Sequence, residues 1–503
     1  MNNPLFIREN NREKINYSFI ILIIILIFAF FLRIYSLSSA PLWIDEATSA
    51  MASKMVLEKG SPIFDSGSIY NRAYVYHYAE AFFLIFGQND FNARLFSVII
   101  GMLTILLAYF IGKEYSKTGG IISALFMSVF YLEVYFSRQA RFYQLFQLMF
   151  FLSIYLLYKS SETRKNNNNN SKSNNKKHEL IYLILSIIAF FIALDTQIAA
   201  LVLAPFLIFY IIIYNTKYNK LFAILPAIPL IQKFMPAANL ATNSTQTTQV
   251  NYAESYFSYG ANLHYLLIFA IPGLIWAFFK KKKLTLLIVI PSLVLLSGVL
   301  LLQVFALRYI YFIAFPLVLY SSILFSFLYE KYGKLILIAI IAVLLIPSNI
   351  FYPYTYVNVI NPIDHNHAHG DFTTPETNYK LVPQNITSEL KNNNTVLISF
   401  FSSDVEWYIK KPTYVIPFTM DGRGYDQISY NKTKSSGELE TVDIYSGAKI
   451  INYSSPIKKP FYITQDTFSY SKLTTSQLND YTSLTKDCNA IYEADDLKII
   501  ECG

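Results

Sequence analysis

Up to residue 352 the chain alternates long apolar runs with short polar breaks. The runs lie near 17–36, 94–112, 119–136, 143–158, 180–195, 198–214, 221–235, 263–279, 284–304, 309–328 and 335–352. A helix needs roughly 20 apolar residues to cross about 30 Å of hydrocarbon. The pattern therefore predicts a polytopic α-helical membrane protein of about 11 transmembrane helices. One further apolar stretch, AYVYHYAEAFFLIFG (73–87), is short and interrupted by His77 and Glu80; it reads as a helix lying in the interface. Past residue 352 the long runs stop. Strand-like pieces such as TVLISFF (395–401) and TYVIPF (413–418) appear between Gly, Asn and Pro. The expected organisation is a transmembrane domain at 1–352 and a C-terminal α/β domain at 353–503, large enough for its own core.

Charge then assigns the sides. A net charge of +8 and a pI near 9.0 would suit a nucleic-acid binder if the cations formed one patch. Instead they alternate between loops: taking the N-terminus as cytoplasmic, inner loops hold 19 Lys and Arg and outer loops before residue 353 hold 6. That asymmetry predicts a cytoplasmic N-terminus and an extracytoplasmic C-terminal domain, with no nucleic-acid partner. Counting 73–87 as a span would put the lysine-rich loops on the wrong side. Residues 159–179, with KNNNNNSKSNNKK at their centre, read as a cytoplasmic low-complexity linker. The first outer loop is 37–93.

Function is then sought in outer charges close to the hydrocarbon, where an ionisable group is costly unless paired or hydrated. Asp45 and Glu46, in PLWIDEATS (41–49), follow the first span. Arg72, Tyr74, His77 and Glu80 lie in the first outer loop, Glu133, Arg138 and Arg141 around the outer end of the third span, Asp195 at the end of the fifth, and Arg308 with Tyr309 at the start of the tenth. Taken singly each has a structural reading: Asp45 is a respectable N-cap, Glu46 suits the positive end of a helix, and Arg138 with Arg141 would pair with Glu133. Together they gather on one face, and the arginines there run against the inward bias. That arrangement suits a phosphate, which guanidinium grips bidentately. Carboxylates beside such arginines meet the needs of glycosyl transfer from a lipid phosphate: cations stabilise the leaving phosphate and a carboxylate takes the acceptor's proton.

Four motifs carry a family resemblance: PLWIDEATS, NRAYVYHYAEAFFLIFGQNDFNARLFSVIIG (71–101), SRQARFYQLF (137–146) and RYIYFIAFP (308–316). In order and topology, over roughly residues 15–330, the chain resembles the GT-C superfamily of polytopic glycosyltransferases, especially the family 39-like branch of protein O-mannosyltransferases and the aminoarabinose transferase of lipid A. The resemblance implies a GT-C fold and an inverting transfer from a polyprenyl- or dolichyl-phosphate sugar to a protein or lipid acceptor. It implies Asp45 as the catalytic acidic residue of the first outer loop, acting as general base, and Glu46 as its assistant in the same site. Charge and position add Arg138, Arg141, Arg308 and Tyr309 as phosphate or site-shaping residues. Where many relatives carry Pro-Pro or His-Pro this chain has Arg72, Ala73 and Tyr74, and where relatives often have a His it has Asp195, which is either a third site carboxylate or a hydrated helix end.

Other signals leave alternatives open. A divalent cation, Mg or Mn, would have Asp45 as its ligand if one is used, and one carboxylate pair does not decide it. The cluster DHNHAHG (364–370) has no second ligand group and reads as a solvated linker. Cys488 and Cys502 both fall in the outer domain, where a disulfide is chemically allowed, and their pairing stays open. The sequons at Asn243, Asn385, Asn393, Asn431 and Asn452 permit glycosylation. The rival function is a transporter or lipid flippase; against it stand the absence of an internal repeat and the clustering of charge at one face.

Overall fold

The computed structural model describes residues 17–169, 174–214, 223–229, 263–301, 311–345, 378–400, 402–416, 429–433, 439–453, 457, 460–466, 470, 473–494 and 497–503. The expected residues Arg308 and Tyr309, the sequon at Asn243 and the histidine-rich 364–370 lie outside them.

The helical part begins with α1 (Tyr17–Ile34), whose Phe19, Ile24, Ile27 and Phe31 are exposed, an apolar surface of the kind a membrane covers. Two short helices follow, α2 (Ile44–Lys59) and α3 (Tyr74–Leu84). At 11 residues α3 is too short to cross a membrane, in agreement with the interfacial reading of 73–87. Next comes α4 (Asp90–Tyr115), where Asn89 caps the first turn by accepting from the Asn92 amide at 3.0 Å. Ser116 ends α4 and caps α5 (Lys117–Val129) through the Gly119 amide at 2.9 Å. These two helices touch backbone to backbone: a Cβ on Gly112 would sit 2.6 Å from the Gly119 oxygen.

Expectation and structure part in two places. The third span, expected unbroken over 119–136, bends by 62° between α5 and α6 (Tyr131–Ser137), because Phe130 leaves the helical region at φ −64°, ψ 124°. The 159–179 linker is largely helical: α7 (Tyr143–Asn169) and α8 (Asn174–Thr196) extend into it from either side, tied by Ser160 donating to the Glu179 carbonyl at 3.0 Å. The eighth and ninth expected spans correspond to the two halves of α10 (Leu263–Leu301), which is broken at Lys281, non-helical at φ −140°, ψ 60°, within the loop expected between them. The remaining helices of this part are α9 (Leu203–Tyr214), α11 (Ala314–Tyr332) and α12 (Leu335–Leu345). Among the described residues three helical stretches are long and apolar enough to cross a membrane, Asp90–Tyr115, Lys177–Thr196 and Tyr311–Tyr332, with the bent α5–α6 pair as a fourth. The other expected spans are shorter, kinked or partly outside the described residues.

The C-terminal part is an eight-stranded mixed sheet built from β1 (Val396–Ser399), β2 (Tyr414–Val415), β3 (Ser429–Thr433), β4 (Leu439–Asp443), β5 (Lys449–Ile450), β6 (Phe461–Asp466), β7 (Asn489–Ala494) and β8 (Leu497–Cys502). Their order is β3-β4-β5-β2-β1-β6-β8-β7. The central β5-β2-β1-β6 run is parallel and antiparallel hairpins flank it. Parallel strands are buried on both faces, and helices supply the cover. Ile386 and Leu390 of α13 (Gln384–Lys391) and Val405 of α14 (Ser402–Tyr408) pack with one face, and Tyr481 of α15 (Thr475–Leu484) packs with the other. Cys488 and Cys502 are bridged.

This sheet domain sits on the α1–α4 connection through α14. Asp90, buried at the start of α4, accepts from Trp407 Nε1 at 2.9 Å and the Tyr408 hydroxyl at 2.8 Å, and Lys380 pairs with it. Thr48 of α2 meets Ser403 at 3.2 Å.

Candidate active site

Asp45 and Glu46 share the first turn of α2, and neighbouring residues on a helix point about 100° apart. The two carboxylates therefore separate. Glu46 turns inward, 1% exposed, and takes both ends of Arg94, Nε at 2.9 Å and Nη2 at 2.7 Å. It also accepts from the Ala140 amide at 2.6 Å and from the Trp43 amide at 3.3 Å, which closes the start of α2. Every oxygen position on Glu46 is occupied, so the expected assisting role gives way to a positioning one. Asp45 is left as the accessible acid, its side chain 34% exposed.

Arg141, between α6 and α7, is the partner of Asp45. Its Nη2 lies 3.4 Å from Asp45 Oδ2, and its Nη1 donates to the Asp45 carbonyl at 2.9 Å and to Ser49 Oγ at 2.8 Å. The hydroxyls of Tyr70 and Tyr143 accept at 3.2 and 3.3 Å. Its guanidinium stacks over Phe142, 4.6 Å from the ring centre. Burial works against this charge; Tyr143, Tyr70 and Asp45 more than offset it and hold Arg141 above the ordinary arginine value. Arg72 arrives from the other side: it is exposed, donates to the same Tyr70 hydroxyl at 3.2 Å and lies 5.3 Å from the same Phe142 ring. Two guanidinium groups thus converge on one phenol beside one carboxylate, an electropositive cluster suited to an anion.

Behind Tyr70 lies a closed polar cluster. Ser53 of α2 donates to Glu80 at 2.6 Å and stands 3.1 Å from His77 Nδ1. Both His77 and Glu80 are fully buried. Burial, with Arg141 and Arg72 adding to it, pushes His77 down to about 3, and burial pushes Glu80 well up. Burial thus disfavours the charged form of both groups, and through Ser53 the cluster holds α2 against α3. Neither reaches the Asp45 face, and Tyr74 stays on the exposed side of α3.

Arg138, Asp195 and Glu133 each find structural partners. Arg138 donates to the carbonyls of Leu32 at 2.9 Å and Tyr35 at 2.7 Å, capping the C-terminal end of α1, where carbonyls lack partners and a cation is favoured. Asp195 accepts from the Ala73 and Val75 amides, at 2.7 Å through its carbonyl and 3.0 Å through its carboxylate. It caps α3, whose own N-cap residue, Ala73, is left-handed at φ 55° and has no side-chain acceptor. Glu133 pairs with neither Arg138 nor Arg141; it accepts from Gln147 at 2.8 Å, Gln144 at 3.2 Å and Tyr311 at 2.8 Å inside the helical bundle.

Sequence reading missed Arg94, Tyr70, Tyr143 and Arg33. Arg94 and Arg33 fall inside apolar runs, so a loop-by-loop charge count passed over them; an arginine within a span was the signal. Arg33 is buried and donates to Ser128 and Met127 carbonyls at 3.0 and 3.3 Å. A divalent cation does not fit the donor set: Asp45 already faces Arg141, Glu46 is saturated, and among the described residues no three His, Cys, Asp or Glu side chains converge.

Comparison with known proteins gives the same picture. Residues 73–236 match the model of the dolichyl-phosphate-mannose-protein mannosyltransferase family. No curated protein matches the sequence. Among solved structures, ArnT from Cupriavidus metallidurans bound to undecaprenyl phosphate is 10% identical and aligns over 96% of this chain and 98% of its own, with a TM-score of 0.62. Its apo form aligns at 9% identity over 96% and 97%, with a TM-score of 0.60. The Archaeoglobus fulgidus oligosaccharyltransferase in complex with zinc and sulfate is 12% identical over 78% of this chain and 62% of that one, with a TM-score of 0.51, so the chain spans about three fifths of the archaeal enzyme. The resemblance carried by the motifs is matched by the fold: residues 73–236 match the mannosyltransferase family's model, and the fold is similar to those of ArnT and the archaeal oligosaccharyltransferase.

Proposed function

We propose that this protein moves a sugar from a polyprenyl- or dolichyl-phosphate donor to a hydroxyl of a protein or lipid acceptor, on the outer face of the membrane. The carrying observation is the pairing of the accessible Asp45 with the buried Arg141 at 3.4 Å, next to the exposed Arg72. The acceptor oxygen attacks the anomeric carbon, its proton passes to Asp45, and the bond from that carbon to the phosphate oxygen breaks with inversion. The lipid phosphate departs as an anion. Most of Arg141's donors are taken by protein, so it supplies fixed positive potential; Arg72, with a single hydrogen bond among the described residues, has donors left for phosphate oxygens.

Three points support the reading. The structural relatives include an ArnT bound to undecaprenyl phosphate and an oligosaccharyltransferase tethered to an acceptor peptide. The lysine and arginine asymmetry sets Asp45 and the C-terminal domain outside, and the Cys488–Cys502 bridge suits an oxidising compartment. The test is mass spectrometry of surface proteins and lipids from a strain lacking this protein. A missing glycan is expected; intact glycans with impaired solute uptake would replace the enzyme by a transporter.

A further inference from the structure

The β4–β5 turn of the C-terminal domain, residues 444–447, is pressed into the first loop beside the site. Ser66 donates to the Ile444 carbonyl, and Ser68 donates to it at 2.5 Å. A Cβ on Gly447 would come 2.9 Å from the Ser66 amide nitrogen, so only a glycine, here at φ 66°, lets the two backbones meet. The turn is also rigid from within, because the buried Asp443 carboxylate accepts from Ser402 at 2.7 Å, the Ser446 amide at 2.7 Å and the Tyr445 amide at 3.1 Å. Tyr445 is the residue this scaffold delivers. Its ring meets Phe64 edge-on at 5.2 Å, and Phe64 meets Tyr70 at 6.0 Å, the phenol on which Arg72 and Arg141 converge. Its hydroxyl has no hydrogen-bond partner among the described residues and lies within electrostatic reach of Asp45, Tyr70 and Arg72; burial, then Tyr70 and Asp45, keeps that hydroxyl protonated.

Resting on the transferase reading above, we propose that Tyr445 completes the active site as an acceptor-binding residue, its hydroxyl hydrogen-bonding the acceptor as that substrate comes to Asp45. The direction of approach decides between the two substrates. Arg141 pairs with Asp45 from the α6–α7 connection of the helical part, the side expected to hold the lipid-linked donor, whereas Tyr445 comes from the sheet domain and packs through Phe64 beside Tyr70. Turn and loop are locked together, so the contact requires no closing motion. The site is thus shared between the two parts of the chain, and the sheet domain does more than cover it.

The experiment compares Tyr445→Phe, Tyr445→Ala and Asp45→Asn in the full-length protein. Each is expressed in the deletion strain and scored by glycan mass spectrometry, then purified for undecaprenyl phosphate binding and thermal melting. Tyr445→Phe keeps the ring on Phe64, so melting and undecaprenyl phosphate affinity stay at wild type while the initial rate of glycan formation falls about tenfold, the effect of losing one substrate hydrogen bond. Tyr445→Ala shows the same unchanged lipid affinity and a larger fall. Wild-type glycan formation by Tyr445→Phe, with Asp45→Asn inactive, overturns the role of Tyr445 and leaves the transferase reading standing. Weaker undecaprenyl phosphate binding by Tyr445→Phe would place it on the donor side and overturn the acceptor assignment. Full glycan formation by Asp45→Asn removes both readings.

Discussion

Replacing Arg94 by methionine tests how α2, the helix that carries Asp45, is held. All five N–H groups of Arg94 are used: Nε and one Nη2 proton on Glu46, the other Nη2 proton on the Pro41 carbonyl at 2.8 Å, and Nη1 on the Leu37 and Ala40 carbonyls at 2.8 and 2.9 Å. One side chain thus ties the end of the α1 connection, the start of α2 and the start of α4. Arg94→Met leaves a buried carboxylate with two amide donors in place of four, and three carbonyls without this partner. Removing one member of a buried ion pair costs about 3–5 kcal/mol, a large fraction of the 5–15 kcal/mol that roughly bounds a protein's stability. Glu46→Gln leaves the guanidinium without its counter-charge and turns one acceptor into a donor facing N–H groups, while the amide oxygen still accepts. If the ion pair is the cause, the double variant is more stable than the two single losses added together, by on the order of 2 kcal/mol. The assay is equilibrium unfolding in mixed detergent for the four proteins of this cycle. An Arg94→Met protein within 1 kcal/mol of wild type, or a double variant whose loss equals the sum, would refute this account of how Asp45 is placed.

Other outcomes follow from the same geometry. Arg138→Gln should lower the melting temperature, through lost caps on α1 worth about 1–3 kcal/mol, without changing undecaprenyl phosphate affinity; a weaker affinity in a binding titration would restore it to the phosphate site. Reducing the Cys488–Cys502 bridge, which closes a separation of 14 residues, should destabilise the sheet domain by about 3 kcal/mol, seen as increased proteolysis of its strands; an unchanged cleavage pattern refutes this. Glu406 of α14 is pushed up to about 7 by burial and by Asp65, against Lys411 and Lys54. The folded protein therefore holds that proton more tightly than the unfolded chain, so stability declines as pH rises from about 4.5 to 7 and is flat above. Glu406→Gln should flatten the decline in melts across that window, and an unaltered slope would assign it to other groups.

What was legible in the sequence is what local pattern dictates. Apolar run length separated spans from the interfacial helix at Tyr74–Leu84, and the change from long runs to strand-like pieces marked the sheet. That Asp45 would be accessible was legible, because an acid next to an apolar run stands out by composition alone. The partners were not. Glu46 finds Arg94 48 residues away, and Arg138 finds the carbonyls of Leu32 and Tyr35 across the fold; which cation meets which carboxylate is decided by tertiary packing, which spacing does not encode. Arg94 was hidden because hydropathy absorbs one charge in a long apolar run. Asp195 was open between two roles because its target, the left-handed Ala73, is visible only in the backbone.

The central claim is that Asp45 takes the acceptor's proton while arginines beside it hold the lipid phosphate. Purified Asp45→Asn, nearly isosteric and still within reach of Arg141, tests it most directly when undecaprenyl phosphate binding and sugar transfer from polyprenyl-phosphate donors are measured on the same preparation. The account predicts retained binding and a wild-type melt with transfer reduced by about 100-fold or more, the range of general-base catalysis. Transfer at the wild-type rate would contradict it.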